Sequence, residues 1–412
     1  MELELPNYVL DTLNTLNEAG YASYVVGGAV RSLLLKEEPK DYDICTDALP
    51  DKVEKLFDKT IPTGKKYGTI TVINDGFLIE VTTFRYDSPV TDGRRPEYVT
   101  FGKTLKDDVD RRDFTINSLA YNPLTGIIDY KDGLNDIYNQ IIRCVGDPTT
   151  RFKEDGLKVL RAIRFAVRYK FRIDKDTLDA MYNLTIKENV LSGVSQERIH
   201  EELVKILSYD FSFLPYIEFE KVASILNYIL DVDTQAHFTR NILGRQCLYI
   251  EKLSYFYKCE DVSLVEPKLR YLKFTNDEIK LIVNSIKAYQ YLAFTYFKID
   301  ANAIFKAKMS SYRYGEDATI TARNILIYDD SIDEHVNSLF LHSLAEPHTL
   351  TKLAIKGDDI KKIFKVEGKA VKQYLESALF YIFEDPERNK KERLINYLKG
   401  LYGGSYEIYP EN

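Results

Sequence analysis

The sequence predicts an α/β head followed by a long all-α portion. Three observations carry that reading. Strand-like runs, glycine turns and short helical stretches alternate through the first 145 or so residues. Strand signals largely vanish after Pro148, and helical periodicity then dominates the chain. At 412 residues the chain is long enough for about two to three domains with sizeable apolar cores. A composition of 45% hydrophobic and 29% charged residues excludes disorder and collagen.

In chain order, Val9, Leu10, Leu13 and Leu16 repeat at helical spacing, and Gly20 stops the helix. Ser23-Tyr-Val-Val26 reads as a strand running into Gly27-Gly28, with a helix from Ala29 to Leu35 behind it. Asp41 to Cys45 reads as a second strand. Thr69–Ile73 and Phe77–Phe84 form a hairpin across Asn74-Asp75-Gly76, a combination suited to the positive φ angles of a tight turn. Helical periodicity then covers Lys153–Tyr169 and Gln196–Leu207, with Pro267, Pro347 and Pro386 as expected breaks between helical groups.

Cys45, Cys144, Cys247 and Cys259 are dispersed without a C-x-x-C pair, and the five histidines form no H-E-x-x-H. A disulfide framework and a zinc ribbon are therefore not expected, and any metal should be held by oxygen ligands. No apolar run approaches the roughly 18–20 residues of a membrane span. Met1-Glu2-Leu3-Glu4 carries no basic or hydrophobic leader, so a cytoplasmic protein with no membrane partner is expected. The net charge of −7 speaks against a generic nucleic-acid coat. It hides two basic islands, however: eight Lys/Arg against three acids from Arg143 to Lys170, and seven against three from Lys352 to Lys372. Such islands in an acidic chain suit selective binding of a polyanion.

The chemistry-bearing residues begin at Gly27-Gly28, placed between a strand and a helix where backbone N–H groups favour phosphate. Arg31 follows one turn into that helix. Asp41 and Asp43, two apart, would project together from a strand and repel each other unless a cation lies between them. Mg²⁺ favours such a site of a few carboxylates plus substrate phosphates. Glu80 is a third acid on a neighbouring strand-like run, flanked by Ile79 and Val81. Singly, D-x-D is common as surface charge and Gly-Gly as a turn. In strand–Gly-Gly–helix–strand order they are the parts of a metal-dependent phosphoryl-transfer site.

These motifs, with those that follow, resemble the class II tRNA nucleotidyltransferase family of CCA-adding enzymes and related bacterial poly(A) polymerases. The similarity runs in family order through Gly27-Gly28-x-x-Arg31, Asp41-x-Asp43, Arg111-Arg-Asp-Phe-Thr-Ile-Asn117, Val145-Gly-Asp-Pro148, Arg151-Phe-Lys-Glu-Asp155, Arg161-Ala-Ile-Arg-Phe165 and Gln196-Glu-Arg-Ile199 with Glu202-Leu203. It implies a mixed-sheet nucleotidyltransferase palm over 1–145, a neck over 146–208, a helical body over 209–290 and a tRNA-binding tail over 291–412. It further implies addition of CCA to the tRNA 3′ end from CTP and ATP, with Mg²⁺ on Asp41 and Asp43. Gly28 and Arg31 would hold the triphosphate, Arg112 would contact the nucleotide, and Arg161 and Arg164 would line its site.

In the family an acid and a base three residues apart on one helix select C and A, which present an amino donor beside a ring-nitrogen acceptor. Here the pair is Asp155 with Lys158, and lysine stands where the family carries arginine. A flexible point charge replaces a planar fork, so looser discrimination is expected. The Gly/Pro/Asp-rich stretch Arg85–Val99 resembles the loop that switches the family from C to A addition. Lys361, Lys362, Lys365 and Lys369 in the second basic island are expected to grip RNA phosphates, which positions RNA without reading sequence. An enzyme adding only A, a poly(A) polymerase and a non-catalytic RNA-binding relative are the alternatives.

Overall fold

The computed structural model describes residues 2–87, 99–232, 240–294 and 301–403. The 88–98 part of the expected switching loop lies outside the described residues. The chain forms two units, residues 1–234 with 243–246, and residues 235–242 with 247–412.

The first unit is built on strands β1 (Ser23–Val26), β2 (Asp43–Thr46), β3 (Thr60–Gly64), β4 (Thr69–Asn74), β5 (Phe77–Thr83), β6 (Arg85–Asp87), β7 (Val99–Phe101), β8 (Ala120–Asn122) and β9 (Gly126–Ile128). Seven of them form one sheet in the order β3-β4-β5-β2-β1-β8-β9, and β6 pairs with β7 separately. Every neighbour in the sheet is antiparallel except β2 and β5, which run parallel. The sheet is therefore mixed, as expected.

Period-two alternation sorts the side chains onto two faces. On one, Val25, Ile44, Ile70, Val72, Ile79 and Val81 pack with Val9, Leu13 and Leu16 of helix Asn7–Glu18 and with Ala29 and Val30 of helix Gly28–Leu34. On the other, Val26, Cys45, Phe84 and Ala120 bury against Leu105 and Val109 of helix Leu105–Asp110. The β4–β5 hairpin closes at Asn74 and Phe77, with Asp75 (φ 47°) and Gly76 (φ 82°) supplying the left-handed turn read from the sequence.

Two local expectations change. Asp41 lies ahead of β2 rather than within it, because the strand begins at Asp43. The helical run expected over Lys153–Tyr169 is two helices, Pro148–Glu154 and Leu157–Tyr169, broken at extended Asp155 (φ −151°). Gly156, at the start of the second helix, is packed so closely that a Cβ there would lie 2.3 Å from the Val190 carbonyl oxygen. Asp155 then turns its Oδ1 back to accept from the Leu157 N–H at 3.0 Å, satisfying one of the orphan donors of the second helix. Helices Lys175–Glu188, Gln196–Leu207 and Tyr216–Leu230 follow.

The second unit is helical throughout its described residues. One core joins Leu353, Ile355 and Ile360 to Ala378, Leu379, Ile382 and Phe383; another gathers Ala288, Leu292, Ala322, Leu326 and Phe340. Pro267 sits inside helix Val262–Tyr271 instead of ending it, at the loss of the one bond its missing N–H would have made. Pro347 falls between helices, and Pro386 opens a short 3-10 helix, Pro386–Arg388, between two α-helices. No helix among the described residues is long and apolar enough to cross a membrane.

Gly156→Ala is expected to destabilise the first unit by about 1–3 kcal/mol, since the clash is with backbone rather than a movable side chain. A urea midpoint equal to that of the unsubstituted chain would show that the Val190 backbone yields to a side chain at 156 without cost.

Candidate active site

Gly28, Arg31, Asp41, Asp43, Arg112, Arg161 and Arg164, predicted from widely separated motifs, all line one cleft of about 660 Å³ in the first unit. The parallel seam of the sheet forms its acidic side. Asp43 opens β2 directly opposite Glu80 of β5, while Asp41 stands just ahead on the same chain segment. Desolvation at the cleft floor and the charges of Glu80 and Asp41 push the Asp43 carboxyl up to about 6, against the opposing pull of Arg112. Glu80 acts on Asp43 through the strand pairing and is not itself among the lining residues.

This charge imbalance is what a divalent cation relieves. Among the described residues no three His, Cys, Asp or Glu groups converge to enclose a metal ion. Two carboxylates open to the cleft instead fit a hard cation that completes its shell with phosphate oxygens and water.

The cationic side is built from arginines that are each held by something else. Arg112 donates to Asp108 Oδ2 at 2.7 Å and, at 3.4 Å, to the Asn117 carbonyl. Asp108, fully buried, also accepts from Arg111 at 2.6 and 2.9 Å. Burial opposes ionisation there, but the two arginines outweigh it and hold the carboxyl below its ordinary range. Gly27 (φ 68°) is needed for a second reason besides its backbone angle, because a Cβ there would come within 2.9 Å of Arg112 Nη1.

Arg161 meets Asp113 Oδ2 through Nε at 2.9 Å and Nη2 at 2.8 Å. Burial of Asp113 raises its pKa, yet Arg161, the Asn117 amide and the Phe114 N–H prevail and hold it down at about 2. Arg164 donates to Glu202 Oε2 at 2.6 Å. Arg31 is buried, donates to Asn117 Oδ1, and lies 5.0 Å from the ring centres of both Phe165 and Tyr169. Burial lowers its pKa from the ordinary guanidinium value. Phe165 also carries Arg164 at 4.4 Å and Arg161 at 5.3 Å, so one ring organises three guanidinium groups.

Asp155 and Lys158 are not brought to the cleft wall or to each other. Asp155 Oδ2 accepts from Arg198 at 3.2 Å, and Lys158 Nζ donates to Glu154 at 3.3 Å. The helix break at Asp155 removes the shared helical frame expected from the sequence. Lys361, Lys362, Lys365 and Lys369 are exposed in the second unit on helix Gly357–Phe364 and at the start of helix Lys369–Glu384. Asp113, Asn117, Phe165 and Glu202 stood inside the quoted motifs without a role assigned to them, and Asp108 and Tyr169 were not singled out. Of the last two, Asp108 left a local signal, standing three and four residues before Arg111 and Arg112 on a helical stretch.

With that geometry in place, residues 23–143 match the model of the poly A polymerase head domain, and residues 170–214 that of the probable RNA- and SrmB-binding site of polymerase A. Residues 250–398 match a putative tRNA nucleotidyltransferase domain 2. The chain is 34% identical over 403 residues to the CCA-adding enzyme of a Geobacillus species, covering 94% of this chain and 95% of that one. It is 47% identical over 199 residues to the CCA-adding enzyme of Lactobacillus helveticus, an alignment that spans about half of each, 48% and 49%. The Bacillus stearothermophilus CCA-adding enzyme, solved in complex with CTP, superposes with a TM-score of 0.69 at 27% identity over 96% of both chains. The fold and site are thus those of a nucleotidyltransferase head joined to helical domains. The chain belongs to the class II tRNA nucleotidyltransferase family, that of the CCA-adding enzymes.

Asp113→Asn is expected to cost about 2 kcal/mol of stability at neutral pH, from the depression of its carboxyl pKa. Because the folded pKa lies below the unfolded one, the Asp113 contribution is full above about pH 4. It is lost as pH falls towards 2, so the two unfolding curves should converge over that window. A constant difference across pH 2–7 would mean that the Asp113–Arg161 pair does not set the stability.

Proposed function

We propose that this chain is a template-independent tRNA nucleotidyltransferase that adds CCA to tRNA 3′ ends from CTP and ATP, in the cytoplasm. The observation that carries the reading is the meeting of Asp41 and Asp43 with Gly28, Arg31, Arg112, Arg161 and Arg164 in one cleft. Mg²⁺ held by Asp41 and Asp43 would supply neutralisation of phosphate charge and a lowered pKa for the attacking hydroxyl.

The chain's own groups do the rest. Arg112 and Arg161, locked by Asp108 and Asp113, present their remaining N–H groups as fixed donors to the nucleotide and lose little freedom on binding it. Gly27 and Gly28 let backbone approach the triphosphate without a Cβ in the way. Asp41 and Asp43 orient the terminal ribose so that its 3′-oxygen attacks the α-phosphorus in line. A P–O bond forms there, the bond to the β-phosphate bridging oxygen breaks, pyrophosphate leaves, and the hydroxyl proton passes to solvent. Choice of C and A falls to Asp155 and Lys158, which would exchange Arg198 and Glu154 for the edge of the base. Lys361, Lys362, Lys365 and Lys369 take phosphates of the tRNA.

A tRNA transcript lacking its CCA, incubated with Mg²⁺, CTP and ATP and sequenced at its 3′ end, should acquire CCA and stop. Runs of A, or extension only of transcripts already ending in CC, would replace this reading with a poly(A) polymerase or an A-adding enzyme. Asp43→Asn should abolish extension while melting no lower than the unsubstituted chain at pH 8 in chelator, because ionised Asp43 is disfavoured by its surroundings above about pH 6. Undiminished turnover by that variant would sink the metal assignment.

A further inference from the structure

The cleft has a second cationic bank that the triphosphate-binding reading does not use. Lys40, Arg168 and Lys205 line it together with Tyr209. Two contacts set their place. Asp155 meets Arg198, and Arg164 meets Glu202, so helices Leu157–Tyr169 and Gln196–Leu207 advance in the same sense along their contact. Arg168 lies one turn beyond Arg164, roughly 6 Å along the axis, and Lys205 lies one turn beyond Glu202 on the other helix. The segment leading to the carboxylates closes this end, since Glu37 accepts from Arg168 at 3.3 Å and Lys40 immediately precedes Asp41.

The two banks differ in kind. The arginines around Arg112 and Arg161 are joined through Asn117, Asp108 and Asp113 into one hydrogen-bonded group. Lys40 and Lys205 are exposed and have no ion-pair partner among the described residues. Glu38 is the nearby acid on this rim. In-line displacement at phosphorus requires the attacking oxygen and the leaving pyrophosphate to lie on opposite sides of the reacting atom. The bonded arginine group and the lysines beside Asp41 line the same cleft as the carboxylates, and that requirement is met when the two sets hold different reactants. Fixed forks suit a small triphosphate that must be held in one pose. Point charges on flexible stems suit a phosphodiester strand that must advance after each addition.

We infer that Lys40 and Lys205, with Arg168, bind the backbone of the RNA strand next to its 3′ end and position its terminal ribose at Asp41 and Asp43. This rests on the tRNA nucleotidyltransferase reading. Tyr209 lines the same part of the cleft.

The test is steady-state extension of a tRNA transcript lacking CCA by the full chain and by Lys40→Ala/Lys205→Ala. RNA and CTP are varied separately, across KCl concentrations. The double variant should raise KM for RNA about 10-fold while KM for CTP stays within about twofold, and the slope of log KM for RNA against log salt should fall by about 1.4. The arginine variants Lys40→Arg/Lys205→Arg should restore both. A rise in KM for CTP with RNA unaffected would assign the bank to the triphosphate and overturn the proposal. Unchanged constants for both substrates would also overturn it, leaving two solvated lysines. Failure of the unsubstituted chain to extend the transcript at all would instead count against the enzymatic reading itself. An unchanged melting temperature in the double variant, expected for exposed side chains without partners, separates loss of binding from loss of fold.

Discussion

Arg31 lies over two aromatic rings, 5.0 Å from the centre of each, and these contacts tie the sheet to the helices that follow. The arginine belongs to helix Gly28–Leu34, packed on the sheet, whereas Phe165 and Tyr169 belong to helix Leu157–Tyr169. Cation–π contacts shielded from water are worth about 2 kcal/mol each. The greater consequence is geometric. Phe165 also seats Arg161 and Arg164 and meets Phe114 edge-on at 5.7 Å, so one side chain fixes the positions of three cations relative to the carboxylates.

Cations gathered so closely repel one another, and the acids behind them answer that repulsion. Asp108, Asp113 and Glu202 each take up an arginine of the cleft wall. The arginines hold the carboxyls of Asp108 and Asp113 below their ordinary range, and the pairing in turn holds the arginines in place. Pairs of this kind contribute little net stability over an apolar alternative, since desolvation offsets much of the attraction. Their value lies in orientation, and the site accordingly carries more rigid charge than the neutral average of its pairs suggests.

How far the sequence made this visible depended on whether a feature was local. The β4–β5 hairpin was legible because Asp75-Gly76 states its own turn geometry, and the head-then-helices order was legible because period two gives way to period 3.6. The cleft residues were legible as motifs, and seven of them converge. What was not legible depended on contacts distant in sequence. The Val190 carbonyl, 34 positions on, occupies the space a side chain at Gly156 would need. Beside it Asp155 is extended, outside the helical frame it was expected to share with Lys158. The acids behind Arg161 and Arg164 stand 48 and 38 positions away from them, beyond the reach of any spacing rule.

The close approach of Arg112 to Gly27 also bears on how such a sequence can change over time. A side chain at 27 would displace Arg112 Nη1, and the displaced guanidinium would leave a buried Asp108 short of one of its two partners. Positions 27, 108 and 112 therefore form one packed unit, in which a change at 27 that moves the guanidinium calls for an answering change at 112 or 108.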